Sequence, residues 1–143
     1  MSSPMNKSQP LKNTYAVKRS KTGLGLFAKE TLVKGSVIIE YTGTILSNKE
    51  AEERGGMYLF EVSSHRTIDG SDRSNTARYI NHSCKPNCEP EIIRGRVFIC
   101  AKRTIAEGEE IVYDYGKEFF NYFIKPLGCK CDHCQKKSAL PKK

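Results

Sequence analysis

No stretch of the chain approaches the roughly 18 consecutive apolar residues that a membrane span needs. Residues 1–10 are polar and rich in Ser and Pro, without the apolar segment that marks a secretory signal. Together these absences predict an intracellular protein, nuclear or cytoplasmic, with no membrane partner. In such a reducing compartment six cysteines point to metal binding or buried thiols before disulfides. At 143 residues the chain has no room for a second core beside one domain of ordinary size. Only 6 Pro interrupt a composition that is 38% hydrophobic, with 7 Tyr and 6 Phe, which excludes a fully disordered chain.

Acidic residues are missing from residues 1–21, where Lys7, Lys12, Lys18, Arg19 and Lys21 give +5. Residues 117–143 set seven lysines against Glu118 and Asp132, again +5, so of the net +8 the middle of the chain carries −2. A nucleic-acid binder usually carries its Lys and Arg on the folded face that meets phosphate. Here they sit in two solvated tails, able to hold nucleic acid weakly, while the mildly acidic middle suits a cationic partner.

Long helical periodicity is also lacking. Short runs rich in Val, Ile, Phe and Tyr, punctuated by glycine, predict strands at 26–28, 36–41, 43–46, 57–62, 66–69, 91–93, 96–101 and 110–113. The capping box Ser47-Asn48-Lys49-Glu50 opens one short helix that Gly55-Gly56 stops, and a further helical turn is expected over 74–80. Slid by 73 positions, the chain echoes itself: Ala28-Lys29, Thr31, Gly35 and Gly43 fall on Ala101-Lys102, Thr104, Gly108 and Gly116, and Leu32 meets Ile105. Two copies are too few for a solenoid, and they predict two similar β units about a shared centre with 47–95 between them. The fold class is mostly β, with short strands in several small sheets and few short helices.

Four segments carry chemistry. Arg78 to Cys88 gathers Asn81, His82, Ser83, Cys84 and Cys88, but no second histidine or carboxylate stands beside His82 to orient it for a thiol protease. Cys129-Lys130-Cys131-Asp132-His133-Cys134 supplies three soft ligands of a tetrahedral zinc site. The fourth ligand is sought elsewhere, with Cys84 ahead of Cys88 and local His133. Gly23-Leu24-Gly25 lacks the third glycine and following helix of a dinucleotide fingerprint, leaving a backbone that a ligand can approach closely. Tyr113 and Tyr115, at i and i+2, share one face of a strand, and Tyr41-Thr42-Gly43 partly echoes them.

Taken together, the four segments resemble the SET-domain protein lysine methyltransferases, over about Tyr15 to Cys134. The family's G-x-G stands here as Gly23-Leu24-Gly25 and its Y-x-G as Tyr41-Thr42-Gly43. Its R-[FY]-[IL]-N-H-S-C-x-P-N runs from Arg78 to Asn87, and its G-E-E-[LI]-x-[FY]-D-Y from Gly108 to Tyr115. The C-terminal C-x-C-x-x-C looks like a post-SET zinc motif, with two residues before the last Cys where the family usually has four. Position 74 is Ser where many members have Gly.

The resemblance implies a basic tail over 1–14, a SET domain over 15–116, a post-SET zinc clip over 117–134 and a second basic tail over 135–143. It implies a pseudoknot in which the Asn81-His82 segment passes beneath a loop around Tyr115. S-adenosylmethionine would lie against Leu24 and Gly25, with Arg78, Asn81 and His82 completing its pocket, and zinc would be held by Cys84, Cys129, Cys131 and Cys134. A lysine of a histone tail or another basic protein would enter from the opposite face, with Tyr115 catalytic, Tyr41 bonding the amine and Tyr113 limiting the product mainly to monomethyllysine, with some dimethyllysine.

Overall fold

Short runs rich in Val, Ile, Phe and Tyr give ten strands in a computed structural model that describes residues 10, 11, 13–131, 133 and 134. Tyr15–Ser20 (β1) and Gly23–Ala28 (β2) form an antiparallel hairpin. Val37–Tyr41 (β3) and Thr44–Leu46 (β4) follow, then the helix α1, Asn48–Arg54. Leu59–Ser63 (β5) and Arg66–Asp69 (β6) form a second hairpin. After a 3₁₀ turn at Thr76–Tyr79 come the two-residue Asn81–His82 (β7), Cys88–Ile93 (β8), Arg96–Ala101 (β9) and Glu110–Tyr113 (β10). The principal sheet has the order β1-β2-β10-β8-β9-β3, with β7 lying parallel beside β10, and β4-β6-β5 form a separate three-stranded sheet.

The echo at 73 residues is structural. In the β1–β2 hairpin Tyr15 opposes Ala28 and Ser20 opposes Gly23, and in the β8–β9 hairpin Cys88 opposes Ala101 and Ile93 opposes Arg96, the same register moved by 73. Glu110 of β10 pairs with Phe27 of β2 as Val37 of β3 pairs with Cys100 of β9. The linking hydrogen bonds repeat as well: Ala28 N donates to Glu109 O and Ala101 N to Ser36 O, both 2.9 Å, while Gly108 N to Ala28 O matches Gly35 N to Ala101 O, both 2.8 Å. At Leu32 and Ile105 each residue meets its own counterpart, exchanging two 2.8 Å backbone bonds, so a local two-fold axis passes between them. Both side chains are fully buried, with Ile38 and Ile111 beside them in one core. Burying each such side chain stabilises the fold by about 1.5–3 kcal/mol.

The capping box forms as expected: Ser47 N donates to Glu50 Oε1 (2.9 Å), Glu50 N donates to Ser47 Oγ (3.2 Å), and Gly55 closes the helix. These bonds hold the Glu50 carboxyl below its usual range. Strands β6, β9 and β10 have the predicted limits, whereas β8 starts at Cys88 rather than residue 91 and β5 spans Leu59–Ser63 rather than 57–62. The sequence pattern predicts only the second half of β2 and does not predict β1: it is an edge strand whose Lys18 and Arg19 are exposed, and charge at an edge, which deters pairing with other chains, also erases the apolar strand signal.

Within residues 117–134 the cysteines are preceded by a helical segment: Lys117–Phe119 (α2), a π-helical turn at Phe120–Ile124 and a 3₁₀ turn at Lys125–Leu127. Among the described residues no helix is long and apolar enough to cross a membrane. Most of the two basic tails, with residues 1–9, Lys12 and 135–143, lies outside the described residues, as does Asp132.

Candidate active site

The pairing of β7 with β10 sets Asn81 beside Val112 and His82 beside Tyr113, in one cleft with the first hairpin. From there the Asn81 amide donates to Glu110 Oε2 (2.8 Å), Leu24 O (3.1 Å) and Ser20 Oγ (3.3 Å), tying that hairpin to β10. Leu24 is about half exposed on the cleft wall. Gly25 is buried behind it, where a Cβ would come within 2.5 Å of Glu110 Oε2, so a larger residue would have to displace the carboxylate that Asn81 holds. Arg78 lies over the Tyr58 ring at 4.5 Å, and its buried Nε has no hydrogen-bond partner among the described residues. A buried donor left unpaired costs about 1–3 kcal/mol. Leu24, Arg78, Asn81 and His82 line one cleft, with Gly25 buried behind Leu24, and an exposed apolar wall beside an unanswered donor could hold a cofactor with both apolar and polar edges.

The three tyrosines come together from two strand ends. Tyr41 closes β3 and Tyr113 closes β10. Tyr115 lies just past the strand end rather than within it, yet its ring centroid is 5.0 Å from that of Tyr113. The Tyr41 hydroxyl donates to Tyr58 O (2.7 Å), and the Tyr115 hydroxyl donates to Ile80 O. Burial raises all three phenols well above their usual pKa, Asp69 adding to it at Tyr41, Tyr115 at Tyr113 and Tyr41 at Tyr115. At neutral pH they are therefore hydrogen-bond donors and not bases.

Several residues that complete this wall escaped the sequence reading. Phe119 meets the Tyr115 ring edge to face at 4.8 Å and Phe123 at 4.7 Å, and Phe60 packs on Tyr41 at 5.4 Å. Behind Tyr41, the buried Asn75 accepts from Thr42 N (3.0 Å) and donates to Gly70 O (3.0 Å). A Cβ at Gly70 would fall 2.4 Å from the Tyr41 ring, so glycine there is a packing requirement. Asn87, also buried, accepts from Val112 N (2.9 Å) and donates to Glu110 O (2.7 Å), holding β10 from the other side. Local sequence carries no signal for these contacts, since their partners lie 33 and 25 residues away.

At the far end of the cleft the sulfurs of Cys84, Cys129, Cys131 and Cys134 lie within 4.8 Å of one another. Zinc bonds of about 2.3 Å in a tetrahedron put sulfurs about 3.8 Å apart, and Cys84 Sγ is 3.8 Å from Cys129 Sγ and 3.5 Å from Cys134 Sγ. Burial pushes the Cys84 thiol far up and Cys129 to about 11. At Cys131 burial is outweighed by the backbone N–H groups of Cys84 and Cys134, leaving it at about 7. Four soft donors at this spacing fit a zinc ion. Neither alternative for the fourth position joins them: Cys88 is fully buried inside β8, its thiol raised to about 12 by that burial, and His133 is exposed.

Between the cysteines and the tyrosines stands His82. Its Nδ1 accepts from Tyr115 N (3.1 Å) and its Nε2 lies 3.3 Å from Cys84 Sγ, so both ring nitrogens face protein partners while the residue still lines the cleft.

Known proteins resemble this chain over much of its length. Histone-lysine N-methyltransferase 2D of Homo sapiens is 36% identical over 137 residues, which is 87% of this chain and 2% of that protein. Histone-lysine N-methyltransferase set1 of Dictyostelium discoideum is 39% identical over 124 residues, 78% of this chain and 8% of its own length. The Schizosaccharomyces pombe protein named Histone-lysine N-methyltransferase, H3 lysine-4 specific, is 41% identical over 105 residues, 64% of this chain and 11% of its own. The chain thus spans about a tenth or less of the length of these relatives. With residues 23–116 matching the SET domain, the chain belongs to the SET-domain family.

Proposed function

We propose that the protein is an S-adenosylmethionine-dependent protein lysine N-methyltransferase acting on a histone or another basic protein, in the nucleus or cytoplasm, and that it adds mainly one methyl group and sometimes two. The observation that carries this reading is the convergence of three buried, protonated phenols with the Asn81-His82 segment in one cleft. The names of the relatives agree with it.

S-adenosylmethionine supplies a methyl group on a sulfonium centre. Leu24 and Gly25 offer it backbone, while Arg78 and the Asn81-His82 segment close its pocket. A free lysine, with a pKa of about 10.4, is an ammonium and no nucleophile. The aromatic walls of Tyr41, Tyr113, Tyr115 and Phe119 disfavour that charge, so the amine sheds its proton before it reacts and no carboxylate base is needed. Tyr41 hydrogen-bonds the amine. Tyr115, whose hydroxyl stays protonated, holds the nitrogen on the line of attack, where misplacement by an ångström costs about a hundredfold. The four cysteines hold zinc and so pin the chain beyond Leu127 against the cleft.

Incubating the chain with methyl-labelled cofactor and core histones, then mapping the label by mass spectrometry, tests the reading. Methyllysine is the expected product. Binding of cofactor and histone peptide without transfer would make the chain an inactive SET-like module, and salt-dependent nucleic-acid binding without cofactor binding would make it a small zinc domain.

A further inference from the structure

We propose that His82 is a positioning residue that joins the four-cysteine cluster to Tyr115, so that filling the cluster with metal fixes the backbone of the catalytic tyrosine. The inference rests on the reading of the cysteines as a zinc site and of Tyr115 as catalytic, and its geometry is independent of both.

The Tyr115 amide can only donate, so at 3.1 Å it obliges Nδ1 of His82 to present a lone pair. The ring proton therefore sits on Nε2, which at 3.3 Å donates to Cys84 Sγ. The competing arrangement, a proton on Nδ1 facing Asp114, is poorly served: Asp114 Oδ1 is 3.8 Å away and accepts from Gly116 N at 2.8 Å instead. The imidazole side chain is 6% exposed, and the rings of Tyr115 and Phe120 pack on it at 5.4 and 5.5 Å, so water does not substitute for either partner. Cys84 is the one sulfur of this cluster supplied from outside the C-terminal segment, and it stands two residues past the end of β7. A thiolate bound to metal is the acceptor that holds Nε2–H best, and partners of this kind orient metal ligands generally. One ring thus touches a ligand of the cluster at one end and the backbone of Tyr115 at the other. Tyr115 has its ring against Phe119 and its hydroxyl on Ile80 O, so a shift in its amide moves the hydroxyl.

The test uses the whole chain loaded with zinc and labelled with ¹⁵N on histidine and tyrosine. The expected result is a neutral Nε2–H tautomer at His82. His82→Asn, whose amide reaches only the Nδ1 position, should keep the Tyr115 amide resonance near its place and release zinc to a chromophoric chelator about tenfold to a hundredfold faster. His82→Gln, reaching the Nε2 position, should hold zinc within about threefold, displace the Tyr115 amide and lower kcat about tenfold with little change in KM. An Nδ1–H tautomer, or release of zinc by His82→Asn at the unaltered rate, would overturn the proposal. If a variant fails to fold, the tautomer of the unaltered chain decides alone. A chain that holds zinc, shows the Nε2–H tautomer and methylates nothing refutes the proposed function and leaves the connection standing, whereas a chain that holds no zinc refutes the metal site and the connection with it.

Discussion

Laid over each other with the offset of 73, β1–β3 and β8–β10 agree in hairpin register and in the hydrogen bonds about their shared axis, and part company where each copy ends. In the first copy the chain runs past Tyr41 and Gly43 into the small sheet β4-β6-β5 and α1. In the second it runs past Tyr113, Tyr115 and Gly116 into the helical segment and the cysteines. Position by position, Tyr113 stands where the first copy has Glu40, which makes a bidentate pair with Arg96 (2.7 and 2.9 Å) at the surface. The shared part sets a frame and the divergent ends hold the chemistry. A frame of this kind tolerates replacement of what it carries because its own bonds are backbone bonds and buried aliphatic contacts.

The largest effect should come from removing what only the second copy leads to. One zinc per chain is expected, and structural zinc sites are worth on the order of 10 kcal/mol. Chelation should expose the thiols of Cys84, Cys129, Cys131 and Cys134 and abolish turnover, while β1–β3 keep their hydrogen-exchange protection. Elemental analysis under reducing conditions, followed by exchange mass spectrometry, checks both halves.

Tyr115→Phe comes next. Its hydroxyl serves the transition state more than the ground state, so turnover should fall about a hundredfold to a thousandfold, as for loss of one preorganised donor, with cofactor affinity within a few-fold. Titration calorimetry and single-turnover rates separate the two. Unchanged turnover would leave the second copy without its distinguishing chemistry.

The frame itself is tested at the axis. Leu32→Ala and Ile105→Ala delete counterpart side chains in matched surroundings, and each should cost about 2–5 kcal/mol. If the two copies are equivalent as scaffold, the two urea midpoints should drop together; a clear inequality would show that one copy bears the fold alone.

Much of this frame was legible in the sequence. The echo, the limits of β6, β9 and β10 and the capping box follow from local pattern, whereas the grouping of Asn81 and His82 with the three tyrosines is implied by the resemblance to the SET-domain family. What stayed hidden depends on distant partners. The helical segment from Lys117 to Leu127 is built of Phe, Tyr and Ile, weak helix formers, and its Phe119 and Phe120 pack on Tyr115 and His82. The expected preference for Cys84 over Cys88 has its physical reason in β8, which turns Cys88 into the core opposite Ala101. Spacing alone leaves both within reach of the C-terminal cysteines.

Asn81→Ala has a smaller expected effect. Its amide ties the first hairpin to Glu110 of the second copy, and its loss leaves Leu24 O and the carboxylate short of a donor. A penalty of about 1–3 kcal/mol should appear as weaker cofactor binding, about tenfold to a hundredfold, in calorimetry. Affinity equal to that of the unaltered chain would remove Asn81 from the cofactor wall.

The smallest effect concerns how many methyl groups are added. Tyr113 is buried at the end of β10, its ring 5.0 Å from Tyr115, and its hydroxyl remains protonated. A phenol there can hydrogen-bond the amine or hold a water in the space into which a methylated lysine must turn for a second transfer. Phenylalanine at that place keeps the ring and its packing but frees the space. One hydroxyl is worth about 1–2 kcal/mol, which alters the relative rates of successive steps about tenfold without loosening the strand. Tyr113→Phe should therefore shift the product from monomethyllysine toward di- and trimethyllysine at an unchanged unfolding midpoint. Time courses read by mass spectrometry decide it. Efficient trimethylation by the unaltered chain would mean that the second copy supplies the reacting tyrosine but does not set the product.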